Sequence, residues 1–204
     1  MKKILALLFL MLSTNLFAAD ASLSYLFASG YKTGEYTRDT LRVDVSKNSD
    51  KGLLYARADI SSFDNRNSLI NTRIIGHYKT GFHPSVQLQN TSSVSYTGLG
   101  IGYSEFTKEF SYFVDVNYTA TSLNVNALQL FGYSKYTLTD KFFLDGFIDH
   151  VRFYSGENTT LTQFGINYKL NDFILGLEQH VYLNKNRISS LDENLTAIKI
   201  KYVF

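Results

Sequence analysis

Short stretches in which apolar and polar side chains alternate follow one another from residue 21 to residue 204, and antiparallel strands accommodate that pattern. Successive side chains of a strand point to opposite faces, so each stretch carries one apolar and one polar face. In 36–46, Leu41, Val43 and Val45 oppose Arg42 and Asp44. In 53–63, Leu54, Ala56, Ala58 and Ile60 oppose Arg57 and Asp59. Tyr112, Val114, Val116 and Tyr118 oppose Asp115 and Asn117, and Ile198, Ile200, Tyr202 and Phe204 oppose Lys199 and Lys201. Strands are expected at 21–29, 36–46, 53–63, 69–78, 84–90, 94–104, 110–119, 125–137, 142–154, 160–169, 173–183 and 195–204. Turn clusters separate them, among them residues 47–52, 138–141 and 170–172. Twelve strands of this length suit an all-β, transmembrane, antiparallel up-and-down β-barrel. The weakest, 84–90, carries the single proline, Pro84, and loss of its hairpin would leave ten.

Period-two alternation alone does not say which face is inside. Size decides it. An eight-stranded interior can be filled by side chains, whereas a wider barrel encloses water. The polar faces of twelve strands therefore line the lumen and the apolar faces meet lipid. The opposite phase would put Arg42 or Arg57 in hydrocarbon, at roughly 2–4 kcal/mol each near the midplane. With both termini periplasmic, the lower strand ends carry Tyr78, Tyr103, Phe110, Tyr112, Tyr136, Phe142, Tyr168, Phe173, Tyr202 and Phe204. Phe27, Tyr36, Phe63, Tyr118 and Phe153 form a sparser upper set. Such rings favour the headgroup level.

The ends of the chain agree. Lys2 and Lys3 precede the apolar run Ile4 to Leu12, and small residues follow at Ala18, Ala19 and Ala21. That is a secretory signal pattern, too short for a spanning helix, and a signal peptide of 1–19 is expected before a barrel of 20–204. The C-terminal KIKYVF, ending in Phe204, resembles the segment that the bacterial barrel-assembly machinery reads. The expected location is the bacterial outer membrane, with membrane lipid and lipopolysaccharide as neighbours. His150, outward beside Arg152, could meet lipopolysaccharide at the upper interface.

Composition narrows the chemistry. The absence of cysteine excludes disulfides and thiolate sites. Without Lys2 and Lys3 the 20 basic residues fall to 18, equal to the 18 acidic ones, so no basic excess points to nucleic acid. His77, His83, His150 and His180 are scattered without ligand spacing, so neither metal nor cofactor is expected. His83 and Ser85 fall in an expected turn without an acidic orienter, and no enzyme is expected. Gly98, Gly100 and Gly102 lie within one strand, where a dinucleotide loop cannot form. Facing inward, they make a thin wall over which a neighbouring side chain can project.

Residues 126–136 (NALQLFGYSKY), 142–150 (FFLDGFIDH) and 177–204 resemble the Tsx-type nucleoside-specific channels and their short relatives. The corresponding elements are a strand around Gln129, a Gly146-Phe147…Asp149 strand, a Glu178 strand, an Asn184-Lys185 loop, the Asp192-Glu193 pair and the terminal aromatic. The likeness implies a passive channel with nucleoside-sized sites in its wall. No tryptophan is present and the loops are shorter than in that family.

Alternation itself places the rings Tyr55, Phe131, Tyr133, Phe147 and Tyr182 in the lumen with Arg57, Asp59, Asp115, Gln129, Asp149 and Glu178. A base could stack on such rings while ribose hydroxyls bond the polar groups. Equally, the charges could pair across strands and only line the barrel. A channel for small polar solutes such as nucleosides, a non-specific pore and a non-conducting structural or adhesive barrel, with a lipid-modifying enzyme as a minor variant of the last, all remain open. Charge matching predicts Arg42 opposite Asp59 and Asp44 opposite Arg57. The same polar-in phase predicts Lys135 opposite Asp145, Phe131 near Asp149 and Tyr133 near Phe147.

Overall fold

Each alternating segment forms a strand in the computed structural model, which describes residues 19–30, 37–49, 52–63, 66–78, 81–90, 95–122, 125–156, 158–183 and 194–204. Among these residues the strands are β1 (Ala19–Gly30), β2 (Thr37–Ser49), β3 (Gly52–Phe63), β4 (Arg66–Tyr78), β5 (Gly81–Asn90) and β6 (Ser95–Phe106). They continue as β7 (Phe110–Thr121), β8 (Ala127–Thr137), β9 (Phe142–Phe153), β10 (Asn158–Leu170), β11 (Phe173–Leu183) and β12 (Leu195–Val203). Each pairs antiparallel with the next, and β12 closes on β1 from Ser22↔Val203 to Gly30↔Leu195. Closure leaves no free sheet edge, as a spanning sheet requires. Residues 1–18 of the expected signal segment lie outside the described residues, and Ala19 begins β1.

The weak segment is a full strand. Pro84 lies on a stretch of β5 paired with β6, beyond the last β4–β5 pair at Gly76↔Val86. A residue without an N–H is tolerated where the ladder is one-sided. The 170–172 turn reverses at Asn171, whose φ of 54° suits an asparagine in a tight hairpin.

The outer wall is apolar, with Ile101 66% and Ile198 58% exposed to the surroundings of the barrel. At the end bearing the short turns, rings follow one another around the wall. Phe82 meets Tyr103 at 5.0 Å, Tyr103 meets Tyr112 at 6.1 Å, and Phe110 meets Tyr136 at 6.4 Å. Phe142 meets Tyr168 at 4.8 Å, and Tyr202 touches both Phe173 and Phe204. The upper set differs from expectation. Phe153 shares the inward face of β9 with buried Val151, and Tyr154 instead meets Tyr118 at 6.2 Å. Tyr36 and the side chains of Phe63 and Tyr78 lie outside the described residues.

β5 and β7 approach each other across β6. The inward glycines of β6 permit this. A Cβ on Gly100 would overlap the Val116 carbonyl, and one on Gly102 would overlap the Asp115 carboxylate and the His83 ring. On the far side, Tyr55 of β3 packs against Phe113 and Phe131 of β7 and β8, so side chains span the lumen between those walls.

Candidate functional site

Alternation aims one charged set into the lumen from β2, β3, β11 and β12. Arg42↔Asp59 and Asp44↔Arg57 stand opposite in register, as charge matching predicts. The Arg42 guanidinium donates two hydrogen bonds to Asp59, at 2.8 and 3.1 Å. Asp44 accepts from Arg57 Nε at 2.8 Å and from the Tyr55 hydroxyl at 2.6 Å, and Lys201 Nζ lies 3.7 Å from its other oxygen. Lys199 donates to Glu178 at 2.5 Å and reaches Asp145 on β9 at 3.4 Å. His180 Nε2 lies 3.0 Å from Glu178, while Arg38 joins His180 Nδ1 at 2.7 Å and donates to the Tyr182 hydroxyl at 2.9 Å. A band of ion pairs therefore runs from the loop end to the turn end of this wall.

The opposite wall is aromatic. Phe131↔Asp149, Tyr133↔Phe147 and Lys135↔Asp145 pair in the expected register. Phe113 and Phe131 have ring centroids 5.6 Å apart, Phe131 and Phe147 5.1 Å apart, with Tyr55 and Tyr133 packed against the pair. Gln129 donates to Asp149 at 2.6 Å. The Lys135 ammonium sits 4.6 Å over the Phe143 ring, while Asp145 turns to Lys199.

Three cavities bordered by described residues lie between the walls. The largest of the three, about 300 Å³, is at the turn end and is bounded chiefly by Tyr55, Phe113, Phe131, Tyr133, Phe147 and Lys201. One of about 70 Å³ lies beside Glu178, Lys199 and Asp145, and one of about 60 Å³ beside Asp59, Asp149 and Gln163. Arg57 and Phe147 border all three.

The expected site residues thus divide. Tyr55, Arg57, Tyr133, Phe147 and Phe131 border the large cavity, Asp59 and Asp149 the smallest, and Glu178 the middle one. Tyr182 lies apart at the loop end under Arg38. Gln129 is closed in behind Asp149. Asp115 is 0% exposed and lies over Gly102, 3.6 Å from His83 Nε2. His83 and Ser85 are on strand β5, not in a turn, and Asp115 supplies the acidic neighbour that the sequence reading lacked. All three are buried.

Asp44, Lys201 and Phe113 were absent from the expected set. The alternation that turns Tyr112 and Ile200 outward carries the signal for Phe113 and Lys201, and Asp44 follows from Leu41-Val43-Val45. Among the described residues no cluster of His, Asp and Glu is arranged to hold a metal.

No protein-family model matches the sequence, and no curated protein matches it significantly. Solved structures do share its fold. The KdgM porin in complex with disordered oligogalacturonate superposes with a TM-score of 0.60 at 11% identity, over 91% of this chain and 99% of that one. Another KdgM porin structure gives 0.61 at 12% identity over 90% and 99%, and the NanC porin 0.61 at 15% over 89% and 98%. At such identities the likeness is one of fold. Together with the apolar belt, it makes this chain a closed antiparallel β-barrel of the fold seen in the KdgM and NanC porins.

Proposed function

We propose that the barrel is a passive channel for small polar solutes, with nucleosides as the class it selects. The observation carrying this reading is that Arg57 and Phe147 border all three cavities from opposite walls. A solute crossing the lumen must pass between a guanidinium and a ring. Nucleosides enter through the resemblance around Gly146-Phe147…Asp149. A base would stack on Phe147 while ribose hydroxyls bond Asp149 or Glu178. Those carboxylates already hold Gln129 and Lys199, so a solute exchanges hydrogen bonds there and binds weakly enough to leave.

The test is single-channel recording of the purified barrel with and without uridine. Uridine should interrupt the current, and Phe147→Ala should weaken that block by roughly 1–3 kcal/mol of stacking. Unblocked conductance would leave a non-specific pore, and no conductance a structural barrel. Acidic saccharides are a second reading. Arg42, Arg57, Lys199 and Lys201 all face the lumen, and one porin of this fold was solved with oligogalacturonate. Block by digalacturonate but not by uridine would select it.

The same proposal includes export by residues 1–19 and membrane insertion through recognition of the segment ending in Phe204. It also includes contact of lipopolysaccharide with His150 and Arg152. His150 is partly exposed and bonded to Thr160 at 2.7 Å, and Arg152 is exposed.

A further inference from the structure

The cavity of about 300 Å³ at the turn end is unlike the rest of the lumen. Six rings border it, those of Tyr55, Phe106, Phe113, Phe131, Tyr133 and Phe147, and Ile174 and Val203 add aliphatic surface. Its volume is at the low end of ligand pockets, roughly 300–1,000 Å³, so it suits one ring system and not a chain of sugars. A sugar placed there would lose most of its hydrogen bonds to water, because most of the surface bordering the space is apolar. A planar ring would instead gain edge and face contacts with the aromatic wall.

Charge adds a second requirement. At one side of this chamber Arg57 and Lys201 both lean on the single carboxylate of Asp44, at 2.8 and 3.7 Å. The Tyr55 hydroxyl donates to that carboxylate as well. Two cations and one anion leave a positive excess beside an apolar space, with Lys201 the more loosely held. A carboxylate on the ring would sit beside Lys201 and balance it.

We infer that this chamber is a binding site for a single-ring aromatic carboxylate, entering ring-first against Phe113 and Phe131 with its carboxylate at Lys201. This rests on the channel reading for access to the lumen, but not on the selection of nucleosides. The ring would lie in the apolar part of the chamber, and the acidic group would keep the solute oriented along the passage.

Titration calorimetry on the refolded barrel in a nonionic detergent tests it, with benzoate, benzyl alcohol, cyclohexanecarboxylate and uridine as probes. Benzoate should bind most tightly of the four. Lys201→Gln should weaken benzoate roughly fivefold and leave benzyl alcohol unchanged. Phe113→Leu should weaken both aromatic probes, and heat-modifiable gel migration would confirm that each variant is folded. Benzyl alcohol or cyclohexanecarboxylate binding as tightly as benzoate would overturn the inference, as would indifference to Lys201→Gln. The assay needs no current. Benzoate binding by a barrel that does not conduct would keep the site and sink the channel, whereas conductance without benzoate binding would sink the site alone.

Discussion

On β2 and β3 the inward Arg42, Asp44, Arg57 and Asp59 are charged, paired and in contact with the cavities, whereas on β5 and β7 the inward side chains are mostly neutral and, Phe113 apart, border none of them. Arg57 and Asp59 retain 22% and 17% side-chain exposure, but Ser85, Gln87, Asn117 and Thr119 retain 1% or less. Both walls obey the same alternation and both face inward. What separates them is the strand between. β6 presents glycine at 98, 100 and 102, so side chains of β5 and β7 close over it, and β5 itself nears β7. On β2 and β3 every inward residue from Arg38 to Asp44 and from Tyr55 to Ser61 has a side chain, which holds the wall open. An inward polar residue therefore borders a cavity only where its neighbours keep the lumen wide.

The charged wall should break most severely. Arg42→Ala would leave the Asp59 carboxylate in a partly buried site without its two hydrogen bonds. Removing one partner of a buried pair costs about 3–5 kcal/mol, and the partial exposure of Asp59 favours the lower end. Urea unfolding of the barrel in lipid vesicles should show that loss. The double variant Arg42→Leu/Asp59→Leu should recover most of it, since neither charge is then stranded. A silent single variant would mean that this wall is solvated like an open surface.

The polar seam should break by overlap instead. Gly100→Val places its Cβ against the Val116 carbonyl, a backbone atom that cannot turn aside. Overpacking of this kind costs roughly 1–3 kcal/mol or more. Gly98→Ala is the control, because its Cβ would stand 3.1 Å from Asn117 Cβ and Thr119 Oγ1, a tight contact rather than an overlap with backbone. Equal unfolding midpoints for the two variants would show that the close approach of β5 and β7 across β6 does not depend on Gly100.

These contrasts mark how far the sequence was legible. Alternation sufficed for the strands and the inward facing of the expected site residues, because a one-residue slip would turn Arg42 and Arg57 into lipid. Charge matching sufficed for Arg42↔Asp59, and the polar-in phase for the β8–β9 register. Contacts across the lumen were not legible, since they depend on the shape of the closed sheet. Nothing local pairs Lys199 with Asp145, which lie on β12 and β9, or sets Tyr55 against Phe113. For the same reason Asp115 looked like a lumenal carboxylate of the same kind as Asp59. Its burial follows from glycines on the adjacent strand, whose effect appears only once β5 and β7 approach each other across β6.

The smallest effect tests whether charge or position makes the difference between the walls. Thr40 and Ser61 form the next rung along β2 and β3, opposite in register and hydrogen-bonded at 2.9 Å, and both are buried. This rung belongs to the charged wall by position but to the seam by chemistry. Thr40→Val keeps the shape of the side chain and strands the Ser61 hydroxyl, at about 1 kcal/mol. Thr40→Val/Ser61→Ala removes both polar groups and should unfold close to the wild type, because no buried hydroxyl is left wanting a partner. The expected order in urea is therefore wild type and double variant together, Thr40→Val slightly below, and Arg42→Ala far below. Should Thr40→Val cost as much as Arg42→Ala, the sensitivity of this wall would come from its place in the β2–β3 ladder and not from its charges.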